Sequence, residues 1–123
     1  MSGSLENIFP IHKNMLSQEE KESLLHQRGV VFWLTGLSGA GKSSIAVAAA
    51  RMLHEQGLLT KLLDGDNVRR RINANLGFTL ADRQENIRRV AEIARLFRET
   101  GVVTLCAFIS PTHKMRALAR EII

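Results

Sequence analysis

The sequence predicts an α/β fold of three layers, a parallel sheet with helices on both faces. Three observations predict it. Short apolar runs recur at VVFWLT (30–35), TKLLD (60–64) and VVTLCAF (102–108). Longer segments with a helical repeat of apolar residues separate them. The resulting order is a leading helix followed by β-α-β-α-β-α, which calls for parallel strands joined by right-handed crossovers.

Each element has its own reason. Residues 1–16 read as an irregular arm around Pro10. Ser17-Gln-Glu-Glu20 has the capping-box pattern and opens a helix over 18–27, with Leu24 and Leu25 on its apolar face and Gly29 as its end. Residues 30–35 lack polar alternation, as a strand buried on both faces does. A glycine loop follows, then a helix over 42–56 with Ile45, Ala49, Met52 and Leu53 on one stripe and Gly57 as its stop. After the 60–64 strand, Asp64-Gly65 reads as a turn into a short helical stretch over 67–73, and NANLGF (73–78) reads as loop. Thr79 to Asp82 marks a further helix start. That helix runs to about 99, with Ile87, Val90, Ala91, Ala94 and Phe97 on one face and Gly101 beyond its end. Ser110-Pro111 opens a last helix over 112–122.

The 123 residues suit a single domain, with 1–28 as arm and helix and 29–123 as the core. Hydrophobic residues make up 45% and charged residues 24%, an ordinary soluble balance. No run is long enough for a membrane span and the first residues do not form a secretory signal, so the expected compartment is the cytoplasm. The single cysteine, Cys106, lies in an apolar strand and is expected to be buried, with no zinc or disulfide pattern. Net charge is +5, which favours an anionic partner. The basic residues are interspersed with acids, and the aromatics sit in apolar runs, which argues against a nucleic-acid surface.

The chemistry begins at Gly36-Leu-Ser-Gly-Ala-Gly-Lys42-Ser43, which fits G-x-x-x-x-G-K-[ST] in full, behind a strand and ahead of a helix. Backbone N–H groups of such a loop cradle phosphate oxygens, and the new helix adds its positive end. Glycine permits the close approach. Gly36, Leu37, Ser38, Gly39, Ala40, Gly41, Lys42, Ser43 and Ser44 are therefore the candidate ATP-binding residues, with Lys42 on the terminal phosphates and Ser43 on Mg²⁺. The motif is shared by kinases, GTPases and motor ATPases. No Asn-Lys-x-Asp segment for reading guanine is present.

A second constellation follows the second strand. In parallel sheets, ligands sit beyond the carboxyl ends of the strands. Asp64 and Asp66 are thus candidates for holding Mg²⁺ or taking a proton from an attacking hydroxyl. The same residues also read as a turn and a helix N-cap. Arg69, Phe78, Arg83 and Asn86 form the candidate acceptor pocket. Arginine suits bidentate phosphate recognition, and a loop phenylalanine can stack on a purine. Arg83 and Asn86, three apart, share a helical face that is expected to lie opposite the apolar stripe. Arg70, Arg71, Arg88, Arg89, Arg95 and Arg98 read as solvated charge. Ile109 and Ser110 end the third strand at the crevice, where Ser110 can cap the last helix and also contact or accept a phosphoryl group.

GLSGAGKS, DGDNVR, NLGF, DRQENIRR and FISP, in this order and spacing, resemble the adenylyl-sulfate kinase (APS kinase) family of P-loop kinases, over about Leu5 to Ile123. The resemblance implies a P-loop NTPase-type fold and transfer of the γ-phosphate of ATP to the 3′-hydroxyl of adenylyl sulfate, in sulfate assimilation. It implies ATP and Mg²⁺ as cofactors and a homodimer, with neither nucleic acid nor membrane as partner. It assigns Lys42, Asp64, Asp66 and Ser110 to catalysis, and Ser43 and Asp64 to the metal. It assigns Asp66, Arg69, Phe78, Arg83, Asn86, Ile109 and Ser110 to adenylyl sulfate. The family's serine at the Ser110 position is described as a phosphoserine intermediate, although direct in-line transfer needs only positioning and charge neutralisation. The family continues by two strands and a basic lid. The chain stops within a helix, at Glu121-Ile-Ile, so a longer native domain is expected, and loss of the two further strands would leave an apolar edge beside VVFWL. Two other readings remain: a different P-loop small-molecule kinase, and a nucleotide-binding module without catalysis.

Overall fold

A computed structural model of the chain describes residues 14–34, 42–65, 68, 71–108 and 113–123. Among these, the elements run α1 (Gln18–Leu25), β1 (Val30–Leu34), α2 (Lys42–Glu55), β2 (Thr60–Asp64), α3 (Leu80–Glu99), β3 (Val103–Ala107) and α4 (His113–Ile122). The three strands form one parallel sheet in the order β1-β3-β2. The expected α/β fold is therefore present, and the last strand in sequence lies in the middle.

Strand β3 is buried at all five positions. Side chains alternate across a strand, so full burial requires cover on both faces. Thr104, Cys106 and the following Phe108 face one layer, where Ile87, Val90, Ala91 and Ala94 of α3 and Met115 and Ala119 of α4 complete the core. Val103, Leu105 and Ala107 face the other layer, on the side of α2, whose Ala46 is fully buried. Trp33 of β1 stacks on Phe108 with ring centroids 5.8 Å apart, which closes the α3–α4 layer over the sheet.

The 30–35 run was expected to be buried on both faces; β1 instead alternates between exposed and half-buried positions. The reason is its place at the sheet edge. Among the described residues its one strand neighbour is β3. Val31 and Trp33 pack against the core cluster, while Phe32, on the opposite face, is 49% exposed because α2 lies over β2 and β3.

Helix α2 corrects a second expectation. Ile45 and Met52 point outward and are exposed, whereas Ala46 is buried and Ala49, Ala50 and Leu53 are half-buried. Alanines let the helix approach the sheet closely, so the small residues rather than the long ones face the core.

Helix α1 is closed by the expected capping box: Ser17 Oγ accepts from Glu20 N at 3.1 Å, and Glu20 Oε1 accepts from Ser17 N at 3.1 Å. It ends earlier than expected, at His26 in the left-handed region (φ 55°), and Leu24 is exposed while Leu25 is half-buried. Gly29 has a different task from the helix stop assigned to it. A Cβ there would lie 2.8 Å from the carbonyl carbon of Arg98, and closer still to its oxygen, so the backbone of β1's entry touches the end of α3. Gln27 ties the same end of the molecule. Its Nε2 donates to Leu59 O (3.0 Å) and Gly101 O (2.7 Å), and its Oε1 accepts from Leu59 N (2.8 Å). Gly57 and Gly101 adopt φ of 87° and 88°, as their role as helix stops requires.

Helix α3 starts where expected, with Thr79 Oγ1 accepting from Asp82 N at 3.1 Å. Its stripe Ile87, Val90, Ala91 and Ala94 is buried, and Phe97 is half-buried. Residues 71–75 are turn, so the short helix does not continue to 73. Cys106 is free and buried, and burial pushes its thiol up to about 12, which leaves it inert as a nucleophile at neutral pH.

Candidate active site

The register sets Leu34, Ala107 and Asp64 in one row across the sheet. All three are the last residues of their strands, so the row marks the carboxyl edge of the sheet, the edge at which parallel sheets bind ligands. Neighbouring strands lie about 4.8 Å apart, which sets the Asp64 backbone roughly 10 Å from the end of β1, where the glycine segment begins. Asp64 is half-buried. Helix α2 begins at Lys42, so Lys42, Ser43 and Ser44 form its first turn, at the positive end of its dipole. Gly36, Leu37, Ser38, Gly39, Ala40 and Gly41 lie outside the described residues, as do Asp66, Arg69, Ile109 and Ser110.

The start of α3 brings Phe78 and Arg83 together. Arg83 Nε donates to Phe78 O at 3.1 Å, and Phe78 itself is 72% exposed. Gly77 N donates to Asp82 Oδ2 at 3.0 Å, which folds the loop back on the first turn of the helix. Because α3 runs into β3 of a parallel sheet, its N-terminus lies at the same edge as Asp64. An exposed aromatic residue whose carbonyl holds a guanidinium offers a planar face and a positive charge at one edge, which suits a planar, anionic ligand.

Asn86 was expected opposite the apolar stripe, yet it is only 4% exposed. Four residues advance a helix by about 400°, so Asn86, Val90 and Ala94 fall on nearly the same line. Its Oδ1 accepts from Asn73 Nδ2 at 2.7 Å, in a buried contact. Asn73 Oδ1 accepts from Arg89 Nη1 at 3.2 Å, and the same Nη1 donates to Asn75 Oδ1 at 2.9 Å. Glu85 anchors the other side: Arg89 Nε donates to its Oε2 at 2.8 Å and Arg88 Nε to its Oε1 at 2.7 Å. The hydrogen bonds from Arg88, then those from Arg89, hold the Glu85 carboxyl down at about 2.

Sequence reasoning missed this network. It left Asn73 and Asn75 as loop and Arg89 as solvated charge. The i,i+4 spacing of Glu85 and Arg89 was the available signal; the tie to the 73–75 turn crosses a gap that periodicity does not report. Arg95 pairs with Glu99, as a surface arginine does. Arg98 is half-buried, donates from Nη1 to Ile123 O at 2.6 Å and has a buried Nε without a partner, so it also departs from a solvated role.

No group of three His, Cys, Asp or Glu side chains among the described residues is arranged to cage a metal. A lone carboxylate at a strand end still fits Mg²⁺, which keeps water and phosphate oxygens as most of its ligands. No described helix is long and apolar enough to cross a membrane.

The family model described as adenylylsulphate kinase matches residues 28–123. The chain belongs to the adenylylsulphate kinase family. It is 60% identical over 118 residues to the adenylyl-sulfate kinase of Phocaeicola vulgatus, covering 96% of this chain and 58% of that one. It is 52% identical over 110 residues to that of Klebsiella pneumoniae, covering 89% of this chain and 55% of the relative. Among solved structures it resembles the Mycobacterium tuberculosis APS kinase in complex with AMPPNP and APS, with a TM-score of 0.76 and 49% identity over 78% of this chain and 56% of that one. The hexameric APS kinase from Thiobacillus denitrificans gives a TM-score of 0.73 and 41% identity, over 79% of this chain and 20% of that one. The fold is therefore that of the adenylylsulphate kinases, and the chain spans about three fifths of the length of curated relatives such as that of Phocaeicola vulgatus, 58% in that case.

Proposed function

We propose that the protein is an adenylyl-sulfate kinase, which transfers the γ-phosphate of ATP to the 3′-hydroxyl of adenylyl sulfate and yields 3′-phosphoadenylyl sulfate and ADP. The observation that carries this reading is the row Leu34–Ala107–Asp64, a carboxylate two strands from the start of the phosphate loop. Membership of the family and the Phe78–Arg83 pair at the same edge support it.

In this reading the backbone of 36–44 receives the triphosphate, and Lys42 neutralises charge as the γ-phosphoryl group moves. Ser43 and Asp64 would hold Mg²⁺, which supplies charge neutralisation of the β- and γ-oxygens. Phe78 stacks on the adenine of the acceptor. Arg69, Arg83 and Asn86 contact its polar and anionic groups, and Ile109 and Ser110 line the pocket. Asp66 receives the proton of the 3′-hydroxyl as the new oxygen–phosphorus bond forms. The bond from the γ-phosphorus to the bridging oxygen breaks, and ADP leaves. Ser110 positions the acceptor, because in-line transfer between two bound nucleotides requires no covalent enzyme intermediate. The protein works in the cytoplasm, where ATP is supplied, as a homodimer; sedimentation of the purified protein checks the last point.

The test is transfer of labelled γ-phosphate from Mg-ATP to adenylyl sulfate. Labelled 3′-phosphoadenylyl sulfate, reduced at least 100-fold in Lys42→Ala, is the expected result, on the scale of losing one charge-stabilising group. Nucleotide binding without transfer would favour a non-catalytic module instead. Transfer to other alcohols but not to adenylyl sulfate would favour a different kinase of this fold.

A further inference from the structure

We propose that Asn73 and Arg89 are positioning residues that lock the Asn86 carboxamide with its NH₂ group turned toward the bound acceptor nucleotide. The proposal rests on the function given above. It follows from the hydrogen-bonding capacity of each group along the network.

An arginine side chain only donates. Arg89 Nη1 reaches Asn73 Oδ1 at 3.2 Å and Asn75 Oδ1 at 2.9 Å, so both carboxamides turn their oxygen to it. With its oxygen so placed, Asn73 turns its Nδ2 the other way, and that atom lies 2.7 Å from Asn86 Oδ1. The Asn86 oxygen is consumed inside the protein. Its Nδ2 is left as the group that faces away from Asn73, and it makes no hydrogen bond with a described residue. An asparagine that could otherwise rotate by half a turn thus has one orientation, set two residues away.

Each link is itself held. Arg89 Nε donates to Glu85 Oε2 at 2.8 Å, so the guanidinium is gripped on two sides. Asn73 is fully buried, and its backbone N donates to Val68 O at 3.0 Å while its O accepts from Leu76 N at 3.0 Å. Orientation matters because of Arg83, one turn before Asn86. Residues three apart on a helix have Cβ atoms about 5–6 Å from each other. With NH₂ outward, Asn86 and Arg83 offer adjacent donors, which suit an acceptor-rich nucleotide. With the oxygen outward, Asn86 would offer Arg83 an internal partner and compete with the ligand for it.

Asn73→Asp tests the idea while preserving a partner for Arg89. A carboxylate accepts from Arg89 but cannot donate to Asn86, so Asn86 turns its NH₂ inward and its oxygen outward. The expected result is a rise of roughly tenfold or more in KM for adenylyl sulfate, the scale of one hydrogen bond to a charged group, with KM for ATP within about twofold. In an Asn86→Ala background, Asn73→Asp should then add less than about twofold, because it acts through Asn86. An equal penalty in both backgrounds would overturn the proposal, as would an unchanged KM for adenylyl sulfate in Asn73→Asp when Asn86→Ala raises it. A wild-type protein that neither binds nor phosphorylates adenylyl sulfate would remove the functional reading, and the proposal with it. A measurement on the unmutated protein guards against a folding defect. Adenylyl sulfate should shift the side-chain amide NMR signals of Asn86 and leave those of Asn73 in place. Movement of Asn73 alone would also overturn it.

Discussion

Replacing Ile87 and Ile45 in turn with alanine should separate the core seen in the structure, which holds only Ile87, from the one the periodicity suggested, which holds both. Ile87 is fully buried in the cluster formed by α3, α4 and the sheet. The change removes three methylene-sized groups, worth about 2.4 kcal/mol in transfer at about 0.8 kcal/mol each. If the site stays open, a void of about 75 Å³ adds about 1.8 kcal/mol at roughly 24 cal/mol per Å³. The expected loss is therefore about 4 kcal/mol, a large part of the roughly 5–15 kcal/mol that stabilises a domain. Urea denaturation followed by the fluorescence of Trp33 measures it, and with a slope near 2 kcal/mol/M the midpoint should fall by about 2 M. Ile45→Ala removes the same atoms from a residue that is 60% exposed, and should cost no more than about 0.5 kcal/mol. Both variants must be compared at one protein concentration, since self-association would shift the midpoint. Equal losses at 45 and 87 would refute the orientation of α2 and the layer assignment built on it.

Three further outcomes are expected. Thr104 Oγ1 is buried without a partner, so Thr104→Val, which keeps the shape, should stabilise the fold by about 1 kcal/mol in the same denaturation assay. Gly29→Ala should cost at least about 1–3 kcal/mol in that assay, because the new methyl group meets backbone at Arg98 rather than a movable side chain. Glu85 should titrate near 2 by carboxyl-carbon NMR, and removing Arg88 and Arg89 should return it toward 4.5. Its folded pKa lies below the unfolded one, so its contribution to stability is full above about 4.5 and is lost as pH falls from there through about 2.

Much of the fold was legible because the relevant forces are local. The capping box at Ser17 and Glu20, the Thr79 start of α3 and the left-handed glycines at 57 and 101 are fixed by a few neighbouring residues, and each is found where its pattern predicts. The strand runs at 60–64 and 102–108 coincide with β2 and β3 to within a residue. What was not legible depends on distant packing. The exposure of Phe32 follows from strand order, which VVFWL does not encode. The tilt of α2 toward its alanines depends on how closely it can approach β2 and β3. At the site, the pairing of Phe78 with Arg83 was anticipated as a shared constellation, and Asp64 was expected at the crevice edge. The burial of Asn86 was not, because its amide is satisfied by Asn73, thirteen residues earlier and across a turn.

The bridge made by Gln27 has a mechanical consequence. A primary carboxamide has the same donor and acceptor as a peptide unit, and this one serves as a splint between the entries to β2 and β3. The Glu22 carboxylate adds a second tie by accepting from Gly29 N at 2.6 Å, beside the Gly29–Arg98 backbone contact. All three fastenings lie at the amino pole of the sheet, the end away from Asp64. The molecule is thus stitched like a hand fan at its rivet: the strands are pinned in register at this pole, and the carboxyl pole that holds Asp64 carries none of these three fastenings.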